Sequence, residues 1–440
     1  MKYFGTDGIR GQYKGAVVNE DFAYSFGRAL SKYLNASHGH AKKVLLGRDT
    51  RPSGESLASA LSIGLKDGGS QPFEAGILPT PALAFGVIDG AFDLGVMITA
   101  SHNPSPDNGF KIFSGKGEKL PVEEEEFIES KLDRSLHLPD KGGCFVEKSD
   151  ALAGYVERLM GFFPENFLSG RKIVADLANG ATIETTARVL SRFGAEVCAM
   201  HEGEGIINDG VGSEHPELMQ ERVKETKADF GLAHDGDGDR VIFADGDGNC
   251  VHGDQVLGLL ALDSRLGNTL EGNGLVATEH SNSGLGASLA KEGIDFFRSQ
   301  VGDRNVSLLM KEKGCNLGGE SSGHVVSSDY LPTGDGLFTG LRVAHAIVRN
   351  QKSLRELAQA ITLWPSKVGS FEVEEKVPVT EKPDLAKALD EARTRLENKG
   401  RILVRYSGTE PKIRLLVEGE DEQLVAEIFS LLSTSIEKIL

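Results

Sequence analysis

Apolar and polar positions along this chain fall into blocks that repeat. KVLLGRDTRPSGESLASALSIGLKDGG (43–69) opens with a short apolar run, crosses a polar loop, and continues with Leu57, Leu61 and Leu65 at helical spacing before a glycine stop. RKIVADLANGATIETTARVLSRFGAEV (171–197) and GLVATEHSNSGLGASLAKEGIDFF (274–297) follow the same grammar of strand, loop and helix. Several dozen residues after each block comes a second short strand ending in a polar loop: DLGVMITASHNP (93–104), ADFGLAHDGDGDR (228–240) and CNLGGESSGHV (315–325). Strands alternating with helices predict an α/β fold on mainly parallel, mixed sheets, and three related domains would set three equivalent loops around a central cleft. The alternative is that the blocks are only the common grammar of α/β chains.

The last segment reads differently. After the acidic, proline-bearing LWPSKVGSFEVEEKVP (363–378) the pattern becomes helix, strand, loop, strand, helix, with RILVRYSGTEPKIRLLVEG (401–419) as two strands around a polar loop. Leu424, Ile428, Leu431 and Ser435 mark one face of a closing helix. The expected domains are 1–150, 151–253 and 254–365, each α/β, and a smaller α+β domain at 366–440. EEEEF (123–127) reads as a solvated helix start, and DGDGN (245–249) as a hairpin turn.

Bulk numbers narrow the function classes. A length of 440 residues exceeds what one core holds, and the apolar and charged fractions of 39% and 26% are those of an ordinary globular protein. A net charge of −17 argues against coating nucleic acid, so an anionic ligand must be held by local basic residues. Cys144, Cys198, Cys250 and Cys315 lie far apart with no CxxC spacing, which fits reduced thiols. MKYFGTDGIRG has no apolar signal core and no stretch approaches a membrane span, so a soluble, cytoplasmic protein is expected.

Chemistry gathers in the polar loops. DLGVMI (93–98) is a buried strand, and TASHNP (99–104) presents Ser101 at its end beside His102; such a serine is either a turn former or a nucleophile. In DGDGDR (235–240), Asp235, Asp237 and Asp239 repel one another unless a cation sits among them, and the glycines let their oxygens converge. An EF-hand fails because its sixth position is Arg240 and its twelfth is Gly246; an acidic turn is the remaining alternative. Arg10 in GTDGIRG (5–11) suits a bidentate grip on phosphate, or is an exposed arginine in a turn. Arg405, Ser407, Gly408, Thr409 and Arg414 in RYSGTEPKIR (405–414) suit an anion nest without Walker spacing. GESSGH (319–324) offers Glu320, Ser322 and His324 to sugar hydroxyls, or is a polar surface turn. Lys111 is a proton carrier only if buried near Ser101. A serine, an oxygen-ligand metal, a phosphate nest and a sugar grip together suffice for phosphoryl transfer.

Four loops in this order, TASHNP, DGDGDR, GESSGH and RYSGTEP, resemble the α-D-phosphohexomutases over essentially the whole chain. That family has three similar α/β domains and a smaller fourth around a cleft. GTDGIRG and IVADLANGAT (173–182) are most similar to its bacterial members that interconvert glucosamine 6-phosphate and glucosamine 1-phosphate for UDP-N-acetylglucosamine synthesis. The resemblance implies that Ser101 carries the phosphoryl group and completes the shell of one Mg²⁺ with Asp235, Asp237 and Asp239. It implies that Arg10, His102 and Arg240 steady the reacting phosphate, and that Lys111 and His324 share acid and base duty. Glu320, Ser322 and His324 would hold the sugar, and Arg405, Ser407, Gly408, Thr409 and Arg414 the phosphate that is not reacting. A hexose 1,6-bisphosphate, here glucosamine 1,6-bisphosphate, would be intermediate and activator. The expected partner is a small hexosamine phosphate, with no nucleic acid or membrane, on a monomer or homodimer. One position departs: Ser321 stands where the compared enzymes commonly carry Asn or Gln. The alternatives are mutases of glucose or mannose phosphates, then a Mg²⁺-dependent sugar-phosphate phosphatase, then a sugar-phosphate sensor that does no chemistry.

Overall fold

The computed structural model describes residues 1–37, 42–140, 146–373, 382–397, 399–406 and 411–438. It divides into two compact units: residues 1–279 with 297–358, and residues 280–296 with 359–440.

The first unit carries three sheets. The first holds β1 (Ile9–Gln12), β2 (Lys42–Arg48), β3 (Ser70–Ile77), β4 (Leu94–Ile98), β5 (Asp107–Ser114) and β6 (Glu147–Lys148), in the order β1-β5-β4-β2-β3-β6. The second holds β7 (Lys172–Asp176), β8 (Glu196–Met200), β9 (Phe230–His234), β10 (Val241–Asp245) and β11 (Cys250–Val251), in the order β11-β10-β9-β7-β8. The third holds β12 (Gly274–Thr278), β13 (Asp295–Ser299), β14 (Leu317–Gly319) and β15 (Val325–Ser327), in the order β13-β12-β14-β15.

One arrangement recurs in all three. The opening strands β2, β7 and β12 pair in parallel with β4, β9 and β14, and each of these turns back antiparallel into β5, β10 or β15. The repeat is therefore one of topology, beyond common α/β grammar. Each middle strand delivers a polar loop at its carboxyl end, where α/β sheets collect ligands. All five residues of β4 and of β9 are buried, as continuous apolar runs between covering helices require.

Leu57, Leu61 and Leu65 are all at 0% exposure on helix Gly54–Asp67, as their spacing predicts. That helix meets helix Glu20–Ser37 so closely that a Cβ on Gly64 would lie 2.1 Å from the Tyr24 carbonyl oxygen. Glycine is needed there for backbone approach. DGDGN forms the turn between β10 and β11, as expected. EEEEF does begin helix Val122–Ser130, but Glu125 within it is buried and ion-paired to Arg304 at 2.5 Å, which corrects the fully solvated reading.

The second unit holds an antiparallel sheet in the order β16-β18-β17, from β16 (Ser366–Glu372), β17 (Gly400–Tyr406) and β18 (Lys412–Gly419). Helices Pro383–Leu396 and Glu422–Glu437 cover it. The closing helix buries Val425, Ile428, Leu432 and Ile436, one residue on from most of the expected stripe. Strand β16 lies in the segment read only as an acidic stretch. Its side chains are largely exposed, so it lacks the apolar alternation that marks a strand.

His234 ends β9 fully buried, with Thr186 Oγ1 3.0 Å from Nε2 and the Arg240 carbonyl 3.1 Å from Nδ1. Burial pushes its pKa down to about 4. The unfolded chain then binds the extra proton first, so this group's contribution is full above its ordinary pKa and is lost as pH falls toward 4. The loss amounts to about 3 kcal/mol. His234→Gln should flatten the fall in stability between about pH 6.5 and pH 4 relative to the parent chain, as read by denaturant titration at each pH.

Candidate active site

Ser101 lies three residues beyond the end of β4, fully buried, with its backbone in the left-handed region at φ 53°. Its Oγ donates to Asp235 Oδ2 at 2.6 Å and lies 3.4 Å from His102 Nδ1. A hydroxyl from the first sheet is thus set against the carboxylates that follow β9.

Asp235, Asp237 and Asp239 are all buried, and each offers a ligand oxygen within 4.8 Å of the others. Three like charges at such distances repel by roughly 3 to 4 kcal/mol per pair at an effective dielectric near 20. Burial, then Asp237 and Asp239, holds the Asp235 carboxyl well above its usual range. Asp237 Oδ1 and Asp239 Oδ1 are buried with no hydrogen-bond partner among the described residues. Convergent, under-satisfied carboxylate oxygens fit a hard divalent cation.

The loop carrying them is held by its own backbone. The carbonyls of Gly236, Asp237 and Gly238 accept from the N–H groups of Ala181 (2.8 Å), Thr80 (2.8 Å) and Gly336 (3.0 Å). Gly238 has φ 72°, and a Cβ there would strike Thr182 Cγ2 at 2.5 Å. Gly238 is thus required by the turn, and Gly236 by close approach, since a Cβ there would lie 2.7 Å from the Ser101 carbonyl oxygen.

Lys111 enters from β5, buried, with Nζ 2.7 Å from both Asp237 Oδ2 and Asp239 Oδ2 and 3.2 Å from Asp7 Oδ2. Burial pulls its pKa down, but these three carboxylates outweigh burial and raise it well above the usual range. Asp7 in turn pairs with Arg10 and Lys119, and Lys119 pairs with Asp303. Asp303 Oδ2 lies 3.6 Å from His324 Nε2, and His324 Nδ1 lies 3.7 Å from Asp239 Oδ1. Asp239, Lys111, Asp7, Lys119, Asp303 and His324 therefore close a ring of alternating charge. Burial works against His324's charge, but Asp239 and Asp303 raise its pKa overall. Burial and the Arg240 guanidinium lower that of His102.

The GESSGH loop (319–324) is joined to the acidic loop by an antiparallel bridge between Arg240 and His324, with Val241 N–H donating to the Gly323 carbonyl at 3.1 Å. Arg240 N–H donates to Asp235 Oδ1 at 3.2 Å, and its Nη1 lies 3.8 Å from Glu214. Glu320 Oε1 accepts the Gly302 N–H at 3.0 Å, and Ser322 is exposed. Arg10 Nη1 reaches Asn103 Oδ1 at 3.4 Å. Within the first unit, Ser101, His102, Arg10, Lys111, Asp235, Asp237, Asp239, Arg240 and His324 thus belong to one connected network.

In the second unit, Arg405 on β17 and Arg414 on β18 are direct cross-strand partners, and both are exposed. Arg405 Nη2 lies 2.9 Å from His280 Nε2. Ser407, Gly408 and Thr409 lie outside the described residues.

Sequence reasoning did not find Asp7, Thr80, Lys119 or Asp303. Asp7 lay in view within GTDGIRG; the others touch the site only through contacts distant in sequence. Thr80, at the start of helix Thr80–Asp89, donates from Oγ1 to Asp237 Oδ2 at 2.6 Å. Hydrogen bonds that orient metal ligands are worth about 10- to 100-fold in affinity. Thr80→Val should weaken Mg²⁺ binding by about tenfold or more in calorimetric titration of the unphosphorylated protein, with its melting transition intact.

Comparison with known proteins finds one family along most of the chain. The four domain profiles of the phosphoglucomutase/phosphomannomutase family match in order: α/β/α domain I at residues 1–137, domain II at 153–248, domain III at 252–363 and the C-terminal domain at 370–433. A phosphoglucosamine mutase of Cronobacter sakazakii is 44% identical over 432 residues, covering 97% of this chain and 96% of the relative. Among solved structures, a phosphoglucomutase/phosphomannomutase family protein of Burkholderia thailandensis shares the fold at TM-score 0.80 and 24% identity, covering 98% and 97% of the two chains. The N-acetylphosphoglucosamine mutase of Aspergillus fumigatus, solved with GlcNAc-6P and magnesium, aligns at TM-score 0.65 and 17% identity, covering 99% and 95%. No helix among the described residues is long and apolar enough to cross a membrane. The chain belongs to the phosphoglucomutase/phosphomannomutase family and, within it, to the phosphoglucosamine mutases, which are isomerases.

Proposed function

We propose that Ser101 is the phosphoryl carrier of a reaction that interconverts glucosamine 6-phosphate and glucosamine 1-phosphate through glucosamine 1,6-bisphosphate. The observation that carries this reading is the Ser101 hydroxyl, buried and 2.6 Å from Asp235 in a triad of carboxylates. The two sugar oxygens are too far apart for a phosphoryl group to pass directly between them. The phosphorylated serine instead donates to one end, the bisphosphate turns within the site, and the serine takes back the other group.

Asp235, Asp237 and Asp239, with an oxygen on Ser101, would hold one Mg²⁺, the metal present with the Aspergillus relative. Such an ion supplies charge neutralisation for the phosphoryl group in transfer. The chain's own residues do the rest. Arg10 and Arg240 face the transferring group with fixed positive charge, and His102 lies within reach of Ser101 Oγ. His324, held between Asp239 and Asp303, and Lys111 are the groups that move protons; Lys111, held as an ammonium by three carboxylates, can take a proton only after it has given one. Glu320 and Ser322 meet sugar hydroxyls. Arg405 and Arg414, with Ser407, Gly408 and Thr409, bind the phosphate that is not reacting. We assign these roles to domains at 1–150, 151–253, 254–365 and 366–440.

Preference for the amino sugar is supported by the curated relatives, and Ser321 is the position to examine against it. The test is Mg²⁺-dependent turnover of glucosamine 1-, glucose 1- and mannose 1-phosphate, each with its matching 1,6-bisphosphate. A kcat/KM advantage of more than about tenfold for the amino sugar, near 1.4 kcal/mol of transition-state discrimination, is expected. Preference for glucose or mannose overturns the substrate, and release of inorganic phosphate without isomerisation overturns the reaction. Arg414→Ala should raise KM by about tenfold or more and change kcat less, since it removes a contact to a group that does not react.

A further inference from the structure

Arg51 is the largest fully buried side chain among the described residues, and the reaction as laid out gives it no task. It follows β2 in the first repeat and never reaches the acidic triad. All five of its side-chain N–H groups are nevertheless spent. Nε donates to Asp49 Oδ2 at 2.9 Å. Nη1 donates to the carbonyls of Pro104 (2.6 Å) and Asp107 (2.8 Å), and Nη2 to those of Ser101 (3.0 Å) and Asn103 (2.7 Å). Four of the five bonds therefore end on the backbone of the turn that carries Ser101.

The same pair controls the other side of the serine. Asp49 Oδ2 also accepts the Thr99 hydroxyl at 2.6 Å, and Thr99 Oγ1 accepts the Ser101 N–H at 2.9 Å. Both the N–H and the C=O of Ser101 are thus fixed, one through Asp49 and Thr99 and the other by Arg51. Left-handed backbone is unfavourable for a serine and persists only where its surroundings impose it. Asn208, from the loop after β8, adds bonds to the Ser101 and Asn103 carbonyls at 2.8 and 3.0 Å. A planar fork can serve four carbonyls at once; a lysine, with three donors on one nitrogen, cannot.

We propose that Arg51 is a positioning residue for phosphoryl transfer: its fork holds the Ser101 turn in the left-handed conformation that aims Oγ at Asp235. In the transfer, the bond from phosphorus to a sugar-bisphosphate oxygen breaks, the bond to Ser101 Oγ forms, and the serine proton passes to the departing sugar oxygen. Arg51 touches none of these atoms. Its effect is on how often Oγ stands where the transfer occurs, so it bears on the chemical step and not on sugar affinity. The inference rests on Ser101 being the carrier.

The experiment compares the parent chain with Arg51→Lys, Asn208→Gly and Ser101→Ala. Asn208 sits at φ 59°, so glycine removes its amide without straining the backbone. Each full-length protein is incubated with Mg²⁺ and glucose 1,6-bisphosphate, and phosphorylation is followed by intact mass. Steady-state kinetics with glucosamine 1-phosphate and melting curves accompany it. Arg51→Lys is expected to lower both the phosphorylation rate and kcat by about 100-fold, the cost of misplacing a reacting group by about 1 Å, with KM within about threefold of the parent. Asn208→Gly is expected to lower both rates together by a smaller factor, with a melting point only slightly below the parent's, and tests the hold on the Ser101 turn by itself if Arg51→Lys does not fold. Phosphorylation at the parent rate in the folded variants, or a loss confined to KM, overturns the proposal. Phosphorylation or turnover in Ser101→Ala is a different result, because it removes the carrier on which the proposal stands.

Discussion

Three carboxylates buried within 4.8 Å of one another are the constraint that organises this protein's first unit. Their mutual repulsion, roughly 10 kcal/mol over the three pairs at an effective dielectric near 20, would open the loop unless positive charge were built in around it. Lys111 and Arg240 supply part of that charge, and a divalent ion suits the remainder. The compensation extends outward through Asp7, Lys119, Asp303 and His324, so the electrostatics of the site also tie together segments far apart in sequence. Removing one partner from a buried network of this kind leaves its neighbour unpaired, and that penalty exceeds the worth of the lost bond.

The repeated sheet explains how such a site is assembled. Each repeat ends its middle strand at a polar loop, and the second and third of these loops meet through backbone bonds. The acidic loop is held by Ala181, Thr80 and Gly336, and the GESSGH loop is bridged to it at Arg240 and His324. The Ser101 loop is held differently, by the side chains of Arg51 and Asn208 on its carbonyls. Once held, the loops leave their remaining residues to set the chemistry, as is usual for sites grafted on α/β folds.

Much of this was legible in the sequence, and the reason is local. TASHNP, DGDGDR and GESSGH are short polar runs at the ends of apolar strands, so residue type and position coincide within a few residues. The repeat was readable from the spacing of Leu57, Leu61 and Leu65 and its counterparts. What escaped was set by distance along the chain. Thr80 meets Asp237 across 157 positions, and Arg304 meets Glu125 across 179. No local pattern marks either one. The run at 123–127 concealed a buried glutamate because its neighbours are solvated. On the closing helix, Leu424 and Leu431 lie beside Val425 and Leu432, so two apolar stripes overlap and only packing against the sheet selects between them. Strand β16, largely exposed, offered no alternation to read.

The central claim is that the phosphoryl group on Ser101 is the one that reaches the sugar. The most direct measurement begins with protein carrying a labelled phosphoryl group on Ser101, mixed in excess with unlabelled glucosamine 6-phosphate and quenched through a single turnover. The account predicts that label leaves the protein at least as fast as kcat and appears first in glucosamine 1,6-bisphosphate. Label that stays on the protein while glucosamine 1-phosphate forms, or that leaves only as inorganic phosphate, would contradict it.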